Sequence, residues 1–362
     1  MPKKAKIIVI KIGSNVLTQK DGSPDKERMA ALVNQMAYLK EKGLQVVLIS
    51  SGAVAFGRQS ISFVSKTDPV IQKQILAAVG QVELIQSYKE FFLEKNIKIA
   101  QLMVTKEDFR DRKHYLNMKN CLFGLINKDI LPVINENDTV AVTELMFTDN
   151  DELAGLVAAM MDADTMILLS NVDGIYKGNP NDPGSELIEH VGQKMPSISN
   201  YVSATKSSFG RGGMLTKMNM AKKSADLGIE VIIANGNRDQ VLVDYFQGQL
   251  KCTYFEPGKS RHNKKKWIAH SDNYSKGEVI INEGAEKALT SGQITSLLPV
   301  GVVAVNGDFV KGEIIRIINE KGKKIGLGKA EFGTRVAQEK KGLNHQKPII
   351  HYDYLYLFDR NN

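Results

Sequence analysis

Short apolar runs alternate with longer amphipathic stretches along the first 250 residues of this 362-residue chain. Runs such as 7–10, 45–49 and 131–134 have the length of single β-strands, and stretches such as 25–41 and 71–92 space their apolar residues as helices do. Strands separated by helices usually pair in parallel, with helices covering both faces of the sheet. The alternation therefore predicts an α/β protein, a three-layer αβα sandwich around a mostly parallel sheet.

The pattern changes near residue 251. Residues 278–281 and 300–305 are short strand-like runs, and glycine-containing turns separate runs of this kind. A helical pattern is limited to about residues 283–289. Many short strands with few helices are typical of a small barrel. We therefore predict two domains, an α/β domain of residues 1–255 and a β-rich, barrel-like domain of residues 256–362.

The second domain carries most of the net charge of +8. Residues 251–362 contain 19 Lys and Arg against 12 Asp and Glu. A basic surface suits an anionic partner such as RNA, but it also keeps a protein in solution. The basic residues are scattered, and their one short cluster, at 264–266, has no aromatic stacking pair nearby. A solvated surface or a domain contact therefore explains the charge better than RNA binding does.

The hydrophobic runs are too short for a membrane protein. None approaches the roughly 20 apolar residues that span a bilayer, and the first run is cut by Lys11 before it could form a signal-peptide core. The two cysteines, Cys121 and Cys252, fit no metal or disulfide pattern. The sequence predicts no membrane association and a cytoplasmic location.

An acidic window interrupts the otherwise mixed charge of the first domain. Between Lys128 and Lys177 there is no lysine or arginine, but there are ten acids, with dense clusters at residues 135–138 (Asn-Glu-Asn-Asp) and 149–151 (Asp-Asn-Asp). Carboxylates this close repel one another unless a metal ion, a ligand ammonium or distant lysines neutralise them. Most charge runs are solvated faces, but the first cluster follows an apolar strand-like run, and α/β proteins bind ligands at strand ends. The window therefore predicts a binding site.

Three glycine-containing loops could hold phosphate. They are residues 11–15 and 50–53, which follow predicted strands, and residues 210–217, which precede a predicted helix. Glycine lets backbone N–H groups approach phosphate oxygens, and a helix N-terminus adds a favourable dipole. A P-loop, a G-x-G-x-x-G loop after the first strand and the protein-kinase motifs are all missing from the sequence. Any phosphoryl transfer must therefore use another architecture.

These motifs together resemble the amino acid kinase family over nearly the whole chain. The matching segments are residues 9–14, 50–53, 78–81, 133–138, 149–151 and 212–217. The Asn-Glu-Asn-Asp run, combined with tail segments similar to a PUA domain, is typical of the glutamate 5-kinase branch. The matching tail segments are residues 266–268, 281–285 and 296–299. The resemblance implies the amino acid kinase fold followed by a PUA-like barrel.

The resemblance also implies an activity. It is the ATP-dependent phosphorylation of the γ-carboxylate of L-glutamate to L-glutamyl 5-phosphate and ADP, the first step of proline biosynthesis, with Mg²⁺ accompanying the nucleotide. Proline is implied as a feedback inhibitor. A homo-oligomer and transfer of the product to glutamate 5-phosphate reductase are implied as well.

The roles of individual residues follow from the same resemblance. Lys11 and Lys217 are implied as the lysines of the transition state, with Asp151 as the acid that orients them. The implied glutamate site consists of Ser51, Asp138, Asp149 and Asn150. The implied ATP site consists of Lys11, Ser170, Asn171, Arg211, Gly212, Gly213, Met214, Leu215, Thr216 and Lys217. For Asp149 the alternative is a cap on the helix that follows it.

Elementary chemistry agrees with a carboxylate acceptor. A carboxyl group with a pKa of about 4.3 is already ionised at neutral pH, so the nucleophile needs no general base. Catalysis then consists of positioning and of neutralising charge. Kinases of N-acetylglutamate, aspartate, carbamate or UMP remain alternatives, although a blocked amine would have no use for the acids at 138 and 149.

Overall fold

The computed structural model describes residues 6–61, 68–141, 147, 149–180, 182–193, 213–258, 263–269, 271–272, 275–291 and 294–358. The strands among them are β1 (Ile7–Ile12), β2 (Gln45–Ile49), β3 (Ile99–Val104), β4 (Leu131–Glu136), β5 (Thr165–Ser170), β6 (Tyr176–Lys177), β7 (Glu186–Leu187), β8 (His190–Val191), β9 (Glu230–Asn235), β10 (Thr253–Phe255), β11 (Gly277–Ile281), β12 (Val302–Gly307), β13 (Ile314–Asn319), β14 (Lys324–Ala330) and β15 (Ile350–Leu357). The helices are α1 (Lys26–Glu41), α2 (Ala53–Ser60), α3 (Pro69–Leu93), α4 (Lys106–Arg110), α5 (Arg112–Asn127), α6 (Asn150–Met161), α7 (Met214–Asp226), α8 (Val241–Phe246), α9 (Asn263–Ala269), α10 (Glu283–Thr290) and α11 (Thr334–Lys340).

The chain divides into two compact units, Met1–Ser260 and Arg261–Asn362. The first contains β1–β10 and α1–α8, and the second contains the remaining elements. The division predicted after residue 255 falls slightly before the observed one. Among the described residues no helix has both the length and the apolar character that crossing a membrane requires.

A large, mostly parallel sheet organises the first unit, as the sequence predicts. In the described part of this unit, eight strands pair in the order β3-β4-β2-β1-β5-β9-β10-β8, and only the β9–β10 pair is antiparallel. Helix α1 contacts α3 and α8, while α6 contacts α5 and α7. Two helical layers thus flank the sheet, which confirms the αβα arrangement.

The first strand shows how this sandwich positions a charged side chain. Ile8, Ile10 and Ile12 join the apolar core that also contains residues of α1, α3 and α8. Because side chains alternate along a strand, Lys11 belongs to the opposite face, on which α6 packs against β1. The same alternation that builds the core therefore directs Lys11 towards α6.

Close packing of α2 against α3 depends on glycine. A Cβ atom at Gly80 would lie 1.8 Å from the carbonyl oxygen of Ala53, and one at Gly57 would lie 2.1 Å from that of Leu76. Gly52, which precedes α2, has a φ of 103°, a conformation that side-chain-bearing residues rarely adopt. Gly57 and Gly80 thus let α3 pack directly against α2, the helix that begins after the loop following β2.

In the described part of the second unit, five strands form a sheet in the order β12-β11-β13-β14-β15, and only the β11–β13 pair is parallel. Its core includes Val279, Ile315 and Ile350. The prediction that helix is limited to about residues 283–289 was wrong, because α9 and α11 are also helical. In α11 only Ala337 is buried, so its sequence carries no apolar period.

Candidate active site

The carboxyl ends of four neighbouring parallel strands meet at one edge of the large sheet. Lys11 lies near the end of β1, Ser51 follows β2, Asn135 lies near the end of β4, and Ser170 ends β5. The amino-terminal ends of α6 and α7 supply Asp151 and Lys217 to the Lys11 side of this cluster. The sequence places these residues in separate motifs, and the fold brings them together at the edge where α/β proteins bind ligands.

Asp151 bridges two lysines at the centre of the cluster. Its Oδ1 lies 2.8 Å from Nζ of Lys11, and its Oδ2 accepts a hydrogen bond of 2.6 Å from Nζ of Lys217. All three side chains are buried, with at most 9% of any of them exposed. A carboxylate that holds two ammonium groups in fixed positions forms a preorganised site with an excess of one positive charge.

The charges of the triad shift the pKa values of Asp151 and Lys217. Burial raises the pKa of Asp151, but the charges of Lys11 and Lys217 outweigh that effect and hold the pKa below its ordinary value. For Lys217, burial and then the nearby charge of Lys11 lower the pKa, although Asp151 opposes the change. Asp151 is thus ionised at neutral pH, and an additional anion near the two lysines would be electrostatically favoured.

Amide side chains link the loop after β2 to the end of β4. Nδ2 of Asn150 lies within hydrogen-bond distance of the Ser50 carbonyl oxygen (3.0 Å), Oγ of Ser51 (2.7 Å) and Oδ1 of Asn135 (3.1 Å). Asn135 in turn donates from Nδ2 to Oε1 of Gln81 at 2.8 Å. The predicted ligand residues Ser51 and Asn150 therefore contact each other and are positioned by two residues that the prediction did not include.

Asp149 is the N-cap of α6, the alternative considered from the sequence. Its Oδ1 accepts hydrogen bonds from the backbone N–H groups of Asp151 and Glu152, at 2.9 and 3.0 Å. Its Oδ2 is buried and has no hydrogen-bond partner among the described residues. Burial and the charge of Asp151 raise the pKa of Asp149. One oxygen of this carboxylate is therefore used by the helix, while the other remains an unsatisfied acceptor.

Asp138 forms an ion pair with a lysine of α3. Its Oδ1 lies 2.5 Å from Nζ of Lys73. A side-chain hydrogen bond connects the same segment to the helix, because Gln74 donates from Nε2 to the carbonyl oxygen of Thr139 at 2.7 Å. The acid predicted to bind a substrate ammonium is thus neutralised by a side chain of the protein.

Apart from Lys11, the predicted nucleotide residues fall in two places. Ser170 ends β5, where its Oγ lies 3.4 Å from Oδ1 of Asn171. Gly213 precedes the first turn of α7, which contains the remaining described residues of the prediction, Met214, Leu215, Thr216 and Lys217. Arg211 and Gly212 lie outside the described residues. Among the described residues no N-cap side chain occupies the start of α7, and a helix N-terminus of this kind beside Lys217 suits phosphate oxygens.

Comparison with known proteins identifies the family to which this chain belongs. The sequence model of the amino acid kinase family matches residues 6–235. The chain belongs to the amino acid kinase family. A PUA domain model matches residues 277–352 in the second unit, so this amino acid kinase has the additional domain that its tail motifs predict.

Close relatives of this amino acid kinase share its whole length. A glutamate 5-kinase from Bacteroides thetaiotaomicron is 51% identical and covers 97% of this chain and 98% of its own. A glutamate 5-kinase from Chlorobaculum tepidum is 48% identical, with 97% of both chains covered. A carbamate kinase from Giardia lamblia bound to AMP-PNP has the same fold, with a TM-score of 0.52 at 18% identity over 70% of this chain and 99% of its own.

Beside its central triad and the Asp138–Lys73 pair, this amino acid kinase contains a further ion pair that the sequence did not predict. Nζ of Lys106, just after β3, lies 3.2 Å from Oε1 of Glu152, and both side chains are largely buried. Glu152 directly follows Asp151, so the pair connects α4 to the first turn of α6. The sequence alone gives no sign of this pair, because Lys106 and Glu152 are 46 residues apart.

Proposed function

We propose that this amino acid kinase transfers the γ-phosphoryl group of ATP to the γ-carboxylate of L-glutamate, giving L-glutamyl 5-phosphate and ADP, the first step of proline biosynthesis. The observation that carries the proposal is the buried Lys11–Asp151–Lys217 triad beside the polar cluster of Ser51 and Asn150. The full-length similarity to glutamate 5-kinases supports the choice of acceptor.

The reaction needs charge neutralisation more than proton transfer. An oxygen of the ionised γ-carboxylate forms the new bond to the γ-phosphorus, and the bond from that phosphorus to the bridging oxygen of ADP breaks. Both reactants are anions, so the two lysines reduce their repulsion and stabilise the charge that develops during transfer. Asp151 keeps Lys11 and Lys217 apart and oriented. No side chain has to remove a proton.

Mg²⁺ fits this site as a partner of the nucleotide. Among the described residues no group of three or more His, Cys, Asp or Glu side chains could hold a metal, and Asp151 is already paired with two lysines. Mg²⁺ commonly keeps several waters and binds the phosphates of a nucleotide. The ion would supply further neutralisation of the phosphate charge, and Asp149, whose Oδ2 has no hydrogen-bond partner among the described residues, would bind a water of its shell.

The proposal is tested by measuring ADP formation with a panel of acceptors. L-Glutamate should be phosphorylated, whereas N-acetyl-L-glutamate, L-aspartate, carbamate and UMP should react poorly. Lys217→Met protein, purified in parallel, controls for contaminating ATPase. Preferential turnover of any other member of the panel would refute glutamate as the substrate.

Replacing Asp138 by alanine should raise the KM for glutamate much more than the KM for ATP. The variant removes the carboxylate proposed to bind the α-ammonium, and a charged hydrogen bond contributes about 1.5–3 kcal/mol, which predicts a rise of about 10- to 100-fold. Steady-state kinetics with each substrate varied separately measures the effect. Equal rises in both KM values would indicate a structural role for Asp138.

Proline is expected to inhibit by competing with glutamate. It has the α-carboxylate and a cationic nitrogen of glutamate but no γ-carboxylate, so residues that bind those two groups would accept it without reaction. We expect raised glutamate to reverse the inhibition, and Asp138→Ala to weaken both ligands together. Inhibition that persists at saturating glutamate would place proline at a separate site.

We also propose that the enzyme is a cytoplasmic homo-oligomer that hands its acyl phosphate product to glutamate 5-phosphate reductase. Exposed apolar side chains along α3 support self-association, because Ile71, Ile75 and Val82 are 50%, 37% and 63% exposed on one face of the helix. Val82→Lys should lower the molar mass measured by sedimentation equilibrium. An unchanged mass would exclude this face as the interface.

A further inference from the structure

The ion pair between Asp138 and Lys73 joins the predicted substrate site to α3. The Lys73 side chain is 33% exposed and that of Asp138 is 15% exposed, so the pair lies at the border between the interior and solvent. Neither the triad nor the amide cluster described above includes Lys73. Its ammonium group is chemically the same kind of cation that Asp138 is proposed to bind in glutamate.

We infer, on the basis of the proposed function, that the Asp138–Lys73 pair opens to receive the substrate zwitterion. The α-ammonium of glutamate takes the place of the Lys73 ammonium on Asp138, and Lys73 moves to the α-carboxylate. Lys73 thus occupies the ammonium position while the site is empty, and it becomes a specificity-determining residue once the substrate is bound.

Electrostatics favours this exchange over simple displacement. The ammonium and the α-carboxylate of glutamate are attached to the same carbon, so a substrate bound through Asp138 presents its carboxylate close to the released Lys73. A largely buried carboxylate left without a cation would be costly, and so would a released cation without an anion. Inserting a zwitterion replaces one ion pair by two, so that no charge is left unneutralised.

The surrounding structure allows Lys73 to move while Asp138 stays in place. Lys73 lines a pocket of about 340 Å³ between α2 and α3, which also contains Arg58 and Gln72, so its flexible side chain borders open space. Asp138 belongs to a segment that the hydrogen bond from Gln74 to the carbonyl oxygen of Thr139 connects to α3. In the proposed exchange, therefore, Lys73 moves and Asp138 stays in place.

Two glutamate analogues separate the roles of the two residues. 4-Aminobutyrate is glutamate without the α-carboxylate, and glutarate is glutamate without the amine. Lys73→Met should weaken the binding of glutamate and of glutarate by about 10- to 100-fold, as expected for loss of a charged hydrogen bond. The same variant should bind 4-aminobutyrate several-fold more tightly, because Asp138 is then free to accept an ammonium.

Asp138→Asn should give the reciprocal pattern. It should weaken the binding of glutamate and of 4-aminobutyrate. Glutarate should bind more tightly, because it no longer competes with Asp138 for Lys73. Lys73→Arg keeps the charge and should restore the order of affinities found in the unchanged protein. Lys89→Met, which removes an exposed lysine of the same helix, should alter none of them.

The experiment uses the full-length chain and the formation of acyl phosphate from radiolabelled glutamate. Inhibition constants for 4-aminobutyrate and glutarate are measured for each variant, and thermal melting confirms that the variants fold. A change in the affinities of all three ligands in the same direction and by the same factor, or weaker binding of 4-aminobutyrate by Lys73→Met, would overturn the inference. Failure of the unchanged protein to phosphorylate glutamate would instead refute the proposed function, and the two failures are thereby distinguished.

Discussion

Lys217→Met is expected to lower kcat by on the order of 100-fold or more while the KM for glutamate stays nearly unchanged. Lys217 lies at the start of α7 and is held by Asp151 at 2.6 Å, and in the proposed mechanism its ammonium contacts the transferred phosphoryl group rather than the amino acid. An interaction that strengthens as charge develops on the transferred phosphate affects the transition state and not the bound ground state. Steady-state kinetics gives both constants, and calorimetric titration with glutamate checks the affinity directly.

Lys222→Met is the matched control for this experiment. Lys222 lies on the same helix and forms an ion pair with Asp226 one turn later, so the substitution removes the same charge from α7 away from the triad. Its kcat should be unchanged. If Lys217→Met retained a near-normal kcat, Lys217 would have no part in the chemistry, and the proposed mechanism would lose one of its two cations.

Much of the architecture could be predicted because it depends on local patterns. Apolar runs of strand length, separated by stretches of helical period, define a parallel sheet, and the carboxyl ends of its strands must share one edge. The acidic clusters that follow β4 and precede α6 were therefore predicted to lie at the ligand site. The helix cap by Asp149 was also foreseen as an alternative, because it requires only the residues that directly follow.

Ion pairs across the fold could not be predicted in this way. Lys73 pairs with Asp138, and Lys106 pairs with Glu152, but in the sequence each lysine is simply a charged residue of a helix. Their partners depend on where α3 and α4 lie relative to the sheet, and no local pattern contains that information. The Asp151 bridge was implied by the resemblance to a family, not by its spacing from either lysine. Helix α11 was missed because a surface helix with one buried residue has no apolar period.

Asp151→Asn should reduce both stability and activity, more severely than loss of either lysine. The variant keeps the shape of the side chain but leaves two buried ammonium groups facing each other without an anion. Removing one partner of a buried ionic group typically costs about 3–5 kcal/mol, and chemical denaturation measures the change in the free energy of unfolding. Activity should fall because the lysines are no longer held in position. Unchanged stability would show that the triad is less tightly coupled than its distances indicate.

Asp151→Asn should also differ from the unchanged protein in its response to pH and to ATP. Burial and the charge of Lys11 already lower the pKa of Lys217, and loss of Asp151 lowers it further, so a larger fraction of Lys217 is neutral at a given pH. Residual activity of Asp151→Asn should therefore rise as the pH falls, relative to the unchanged protein.

ATP should raise the melting temperature of Asp151→Asn more than that of the unchanged protein, because the phosphates supply the missing negative charge.

The double variant Asp151→Asn/Lys217→Met separates structure from chemistry. It removes one of the two ammonium groups that repel each other, so it should regain part of the stability that Asp151→Asn loses, and the two substitutions should be strongly non-additive. It should remain inactive, because catalysis needs both cations and not merely a folded site. Additive losses of stability would mean that Asp151 and Lys217 act independently. In that case the two lysines would have to be positioned by the nucleotide rather than by the protein.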